Sequence, residues 1–209
     1  YRNGYREEDL VDYNTENIKT QASLHYKITD KIEVIAAGNY SQGSTIYQGD
    51  NRYALRNIQF YQARFEIKQN DKFFLRAYTT GEDAGDSYDI VQTAFKMSTL
   101  SKPDIDWFKR YQQYWASNVR NNLRGIPKFP KLPGVGQIYD TATANMLLSQ
   151  YPELLSAYHS AARRYANQST TTYPNAEYAL GTKQFDSLYN HITSRRFNEG
   201  GSKCYDRSK

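Results

Sequence analysis

From Ile18 to Tyr40 the chain reads IKTQASLHYKITDKIEVIAAGNY, and this stretch decides the fold. Strict alternation puts Ile18, Thr20, Ala22, Leu24, Tyr26 and Ile28 on one face, with Lys19, Gln21, Ser23, His25 and Lys27 on the other. After Thr29-Asp30-Lys31, a turn-forming triplet, the pattern resumes. Ile32, Val34, Ala36, Gly38 and Tyr40 take one face and Glu33, Ile35, Ala37 and Asn39 the other. A two-residue period is the signature of a strand, and a tight turn between two such runs makes an antiparallel hairpin. The motif then repeats. Tyr61, Ala63, Phe65 and Ile67 oppose Gln62, Arg64, Glu66 and Lys68, and Phe73, Leu75 and Ala77 oppose Phe74, Arg76 and Tyr78. Gln69-Asn70-Asp71 is the second turn. Each strand is therefore expected to show an apolar face and a polar one. Ser41 to Asn57, rich in Gly, Asn and Gln, reads as a longer loop.

Beyond Thr80 the period changes. Pro103-Asp104 is a helix start, followed at helical spacing by Trp107, Phe108, Tyr111, Tyr114, Trp115, Val119 and Leu123. That stripe reads as the packing face of a small core, with a sugar-binding aromatic platform as the alternative. Gly125 to Gly136 contains Pro127, Pro130 and Pro133 and reads as a linker. Further helices are expected from Asp140 to about Gln150 with Ala142, Met146 and Leu147 inward, and from Pro152 through Leu154, Leu155, Tyr158, Ala162 and Tyr165. A last short helix holds Phe185, Leu188, Tyr189 and Ile192. More than 120 residues thus separate the fourth strand from the next strand-like signal, Ser202-Lys203-Cys204-Tyr205.

Composition narrows the classes. The 209 residues are 39% hydrophobic and include 20 Tyr, 9 Phe and 2 Trp, which is too aromatic for disorder. No run of about 18 apolar residues exists, so a transmembrane helix is excluded. A polar average with abundant Tyr fits a soluble β-rich protein or a transmembrane β-barrel, where inward positions are polar and rings gather at the interfaces. The charge of +5, from 27 basic and 22 acidic residues, is dispersed and lacks the dense basic stripe of a nucleic-acid binder. One cysteine, Cys204, makes neither an internal disulfide nor a cysteine-rich metal site. His25, His159 and His191 lack metal-ligand spacing, and no nucleophile or phosphate-loop motif is present. No enzyme activity and no cofactor are expected. In Glu82-Asp83-Ala84-Gly85-Asp86-Ser87-Tyr88-Asp89 the carboxylates of Asp83, Asp86 and Asp89 could supply oxygen ligands to Ca²⁺, but their spacing misses the EF-hand template and the stretch reads rather as an acidic turn capping a helix that begins near Ser87. Thr45 to Tyr53 suits either ligand contact at a loop tip or ordinary loop-to-loop hydrogen bonding. The chain starts at Tyr1 without Met and stops within a strand signal, so it reads as a piece of a longer protein whose targeting signals are not informative.

Thr45–Arg56 (TIYQGDNRYALR), Phe73–Asp89 (FFLRAYTTGEDAGDSYD), the hairpin YKITDKIE at 26–33 and Gly200-Gly201-Ser202-Lys203 resemble TonB-dependent outer-membrane receptors. The likeness is to the large type with a carboxypeptidase-regulatory-like N-terminal domain; it covers most of residues 5–95. The resemblance implies a 22-stranded barrel in the outer membrane of a Gram-negative bacterium, in contact with lipid and lipopolysaccharide. It further implies a plug that engages TonB and active import of a small-molecule, glycan or peptide nutrient. On this reading 1–80 hold four barrel strands and the first extracellular loop. Residues 81–200 form a long, mostly α-helical extracellular loop, expected as a cap over the end of the sheet that carries 41–57, and 201–209 begin the next strand. Tyr47, Asp50, Arg52, Tyr53, Glu82, Asp83, Asp86 and Tyr88 are the candidate ligand-facing residues. Tyr26, Tyr40, Tyr61 and Phe73 are expected at strand ends. The alternative is a soluble or surface-anchored β-rich glycan-binding module with a helical insertion, which would bury the apolar strand faces under a second sheet.

Overall fold

The computed structural model describes residues 2–69, 72–130 and 141–204. The fold is mixed, an antiparallel sheet with helices. The strands β1 (Glu16–Lys27), β2 (Ile32–Gln48), β3 (Arg52–Gln69) and β4 (Phe73–Asp83) follow one another in space as in sequence, and β5 (Tyr88–Asp89) pairs with β3. The sheet is open and not a closed barrel. The helices are α1 (Ile90–Ser101), α2 (Asp104–Tyr114), α3 (Arg120–Arg124), α4 (Thr141–Leu148), α5 (Pro152–Asn167) and α6 (Lys183–Thr193). No described helix is long and apolar enough to cross a membrane.

Register fixes the faces, because residues directly opposed across antiparallel strands point the same way. Leu24, Ala36, Phe65 and Ala77 form one cross-strand row, and Tyr26, Val34, Ile67 and Leu75 another on the same face. On the opposite face stand His25, Ile35, Glu66 and Arg76, then Ser23, Ala37, Arg64 and Tyr78. The apolar rows lie bare, with Leu24 70% and Leu75 69% exposed. The polar face is knitted by charge. Glu33 accepts from His25 at 2.7 Å and pairs with Lys68 at 3.0 Å, and Arg76 donates to Glu66 at 2.7 Å. These donors hold both carboxyls below the usual carboxylate range.

The strands are longer than alternation indicated. Residues 41–48 continue β2 and 52–57 begin β3, so the expected Ser41–Asn57 loop shrinks to Gly49-Asp50-Asn51. Consequently Tyr40 and Tyr61, paired across β2 and β3, sit within their strands and not at the ends. Tyr26 and Phe73 do lie near strand ends. The first turn is as expected: the Ile28 N–H donates to the Ile32 carbonyl at 3.0 Å, and the Thr29 hydroxyl accepts from the Ile32 N–H at 3.0 Å. Asn70 and Asp71 of the second turn lie outside the described residues.

Where the loop was expected, β3 carries an irregularity. Gly43 pairs with Ile58 and Thr45 with Leu55, leaving Arg56 and Asn57 opposite Ser44 alone, an extra residue of the bulge type. Asn57 takes φ 54°, and Gly85 beside it takes φ 59°. A Cβ on Gly85 would stand 2.4 Å from the carbonyl oxygens of both Arg56 and Asn57. Gly85→Ala should cost more than about 1 kcal/mol through this strain and clash, read as a lowered melting temperature. An unchanged melt would show that the turn relaxes freely.

Two compact units emerge, one of Tyr5–Met97 with Leu180–Lys209 and one of Tyr1–Gly4 with Ser98–Ala179. In the sheet unit one buried cluster is Ala54, Tyr88 and Ile90, joined by Val11, Ile46 and Tyr189, and Leu10, Ile35, Met97, Phe185 and Ile192 are buried as well. Ile46 shares the parity of Val34, Ala36 and Tyr40 along β2, so this cluster continues the apolar face past the Tyr40–Tyr61 row. Helix α1 begins at Ile90, three residues later than expected, because the Asp89 carboxylate accepts from the Gln92 N–H at 2.9 Å as an N-cap. Thr182 caps α6, whose Phe185 and Ile192 are buried as the pattern indicated.

After α6 the chain returns to β5. The Asp89 N–H donates to the Ser202 carbonyl at 2.9 Å and the Cys204 N–H to the Ser87 carbonyl at 2.8 Å. Lys203 thereby bridges Tyr88 antiparallel, Thr93 and Ser202 hydroxyls lie 2.7 Å apart, and Lys203 reaches Asp86 at 3.3 Å. Tyr205 lies outside the described residues.

In the helical unit, α2 starts at Asp104 after Pro103, runs through a π-helical turn (Trp115–Val119) and continues as α3. Trp107, Val119 and Leu123 are buried as expected of a packing stripe, whereas Phe108 is exposed. Rings stack along it: Trp107 on Tyr111 at 5.2 Å, Tyr111 on Trp115 at 6.1 Å, and Trp115 on His159 of α5 at 4.6 Å. In α4 it is Ala144 that is buried, while Ala142 and Met146 are exposed, opposite to expectation. Asp140 and the linker's residues 131–136 lie outside the described residues.

Candidate functional site

The eight candidate residues occupy three separate places. At the β2–β3 turn, Tyr47 and Tyr53 are cross-strand partners with rings 6.5 Å apart and nearly parallel. Asp50 is an exposed turn residue. The turn is tied down by the Gly49 N–H donating to the Asn51 carbonyl at 2.9 Å, and by the Asn51 side chain donating to Asp89 at 2.5 Å. Arg52 is already engaged. Its guanidinium donates through Nε and Nη2 to Glu7 at 2.9–3.2 Å, a two-pronged grip that holds Glu7 below the usual carboxylate range. Tyr13 adds a third donor to Glu7 at 2.9 Å.

Tyr88 belongs to the core and does not stand at a ligand surface. Its hydroxyl and that of Tyr189 converge on the Leu10 carbonyl at 2.7 and 2.9 Å and lie 2.7 Å from each other. Burial pushes both phenols above their usual range.

The acidic turn spends its carboxylates on the protein itself. Asp83 accepts from the Gly85 N–H at 2.8 Å, and Asp86 accepts from Asn57 at 3.4 Å as well as from Lys203. With Asp89 capping α1, the three carboxylates considered for Ca²⁺ each have another partner. Among the described residues no three His, Cys, Asp or Glu converge.

Glu82 lies elsewhere, in the polar-face row of Lys19, Ser41 and Phe60. From Tyr53 to Phe60 along β3 is about 24 Å at ~3.4 Å per residue, so Glu82 and the tyrosine pair cannot meet one small ligand. Rows 19–41–60–82 and 21–39–62–80 line an open hollow of about 900 Å³. Its amides and hydroxyls include Gln21, Asn39, Gln62 and Thr80, with Asn39 donating to Gln62 at 3.0 Å. Side chains of this kind offer neutral hydrogen bonds, and Phe60 offers a ring.

Alternation could not reveal the N-terminal anchors Glu7, Leu10 and Asp12, the last holding Arg56 through its carbonyl at 3.1 Å and its carboxylate at 3.3 Å. Their partners lie more than forty residues away, and no local pattern announces them. Comparison with known proteins gives no match to the chain among family models, curated proteins or solved structures.

Proposed function

We propose that the chain is part of a TonB-dependent outer-membrane receptor for active nutrient uptake, contributing barrel wall and extracellular surface. The observation that carries this reading is the separation of the two faces across four consecutive strands, with the apolar one bare. From Ile32, in the row of Phe73, to Tyr40 is roughly 27 Å of strand. At a tilt of about 40° that spans ~21 Å along the membrane normal, close to the ~25 Å apolar band of such barrels. The Tyr40–Tyr61 row then marks one interface and the Tyr26 and Phe73 positions the other. On this reading 41–48 and 52–60 are strand extensions beyond the outer interface, and the cluster of Ala54, Tyr88 and Ile90 seals their outer side.

The return of Ser202–Cys204 beside Ser87–Asp89 adds support, since it makes the helical segment an insertion whose two ends share one strand edge. Tyr47, Asp50 and Tyr53 at the turn are the candidates left to face solute, and Glu82 lies apart from them on the polar face. The protein's part is binding and gating. A soluble glycan-binding module is the less supported reading, because no second sheet covers the apolar rows among the described residues.

Single cysteines test this in the complete protein in its native membrane, with Cys204 changed to Ser. Leu24→Cys should react with a bilayer-soluble maleimide and resist a charged one, and Arg64→Cys should show the reverse preference. Equal reaction of both positions with the charged reagent would sink the membrane assignment.

A further inference from the structure

The helical unit encloses more charge than its packing requires. Lys102 has no exposed surface, Arg110 is 3% exposed, and the Arg2 side chain is 9% exposed. These three cations share an interior with Glu177, whose side chain is 11% exposed. Buried charges are tolerated only when partnered. Lys102 Nζ donates to the Gln168 carbonyl at 2.7 Å. Arg110 donates to the Tyr165 carbonyl at 3.0 Å and lies over the Tyr165 ring at 3.7 Å. Trp107 donates to Asn167 at 2.7 Å. All three therefore hold the C-terminal end of α5 and its exit.

Arg2 does something different. It donates to the Ser98 carbonyl at 2.6 Å and the Lys102 carbonyl at 2.9 Å, capping the end of α1 where a cation is favoured. It also pairs with Asp104 in the first turn of α2 and lies 3.5 Å from Glu177. One side chain thus joins the end of one helix, the start of the next and the Glu177 segment. Burial pushes the Glu177 carboxyl up, and Arg2 is the first charge that opposes this.

We propose that residues 2–4 are a releasable latch on the helical unit, with Arg2 as its bolt. Seated, Arg2 locks the seam between residues 98–106 and Glu177. Withdrawn, it removes the direct tie between 98–106 and Glu177 while α2 and α5 stay packed, because Trp107 and Arg110 keep their own partners on α5; Lys102 remains held by the Gln168 carbonyl and the Glu177 N–H by the Asn167 carbonyl at 3.0 Å. The chain leaves this unit between Gly4 and Tyr5, and Glu7 is gripped by Arg52 only a few residues on. This inference does not depend on the membrane reading.

Hydrogen exchange on the full chain tests it. Arg2→Gln should speed exchange at 98–106 and 173–179 by about tenfold or more, leaving 159–166 of α5 within about twofold. Adding Glu177→Gln should restore part of the protection by removing the stranded carboxylate. Loss of protection throughout α5 would mean that Arg2 merely holds the unit together, and unchanged exchange at the seam would mean that it bolts nothing. If Arg2→Gln does not fold, the unmodified chain in low denaturant decides. There the latch requires 98–106 and 173–179 to open together before α5, and a single common opening overturns it.

Discussion

On the proposed barrel reading, Leu24→Arg in the complete protein is expected to lower the stability of the inserted form by about 2–4 kcal/mol, the cost of a cation at the bilayer midplane. Leu24 is the residue to choose because its row lies midway between the Phe73–Ile32 row and the Tyr40–Tyr61 row. Arg64→Leu, one residue along β3 from Phe65 and on the other face, should shift stability far less. Urea titration of the refolded protein in lipid vesicles provides the measurement. If the two substitutions cost the same, the two faces meet the same medium and the barrel reading falls.

Trp107→Ala should be the most damaging single change in the helical unit, at about 3–5 kcal/mol. The ring is 1% exposed, stacks on Tyr111, meets Phe108 edge-on at 5.3 Å and donates to Asn167. Its loss leaves a cavity and an unpartnered amide together. Trp107→Phe keeps most of the volume but forfeits the indole donor, so it should cost roughly 1–3 kcal/mol. The readout is the change in the near-ultraviolet circular dichroism transition. A Phe variant as damaged as the Ala variant would place the whole effect in the hydrogen bond.

Alternation revealed the four strands, their two faces and the first turn, because an apolar and a polar face leave a period of two in the residues. It failed from Ser41 to Asn57, where Ser41-Gln42-Gly43-Ser44 carries no apolar alternation and the strand is held by backbone pairing and the Tyr47–Tyr53 stack. Helices α5 and α6 were legible from Pro152 and from the Phe185–Ile192 stripe. The π-helical turn at Trp115–Val119 was not, since it changes hydrogen bonding without changing the order of apolar residues. Of the candidate site, Tyr47 and Tyr53 do come together. Arg52 and Tyr88 look chemically apt in the sequence, yet their polar groups are claimed by Glu7 and Leu10, segments that no local reading connects to them.

The return of Ser202–Cys204 to Ser87–Asp89 bears on how the chain acquires its structure. Bringing two points over a hundred residues apart together costs about 4 kcal/mol of chain entropy if the intervening segment is a random coil. The hairpins of β1–β4 need no such closure. A separately folding helical unit shortens the effective span, so closure of the neck follows its collapse at a much smaller penalty. Once that neck is shut, the intervening sequence is free to diverge in length and content, for the strand register on either side no longer depends on it.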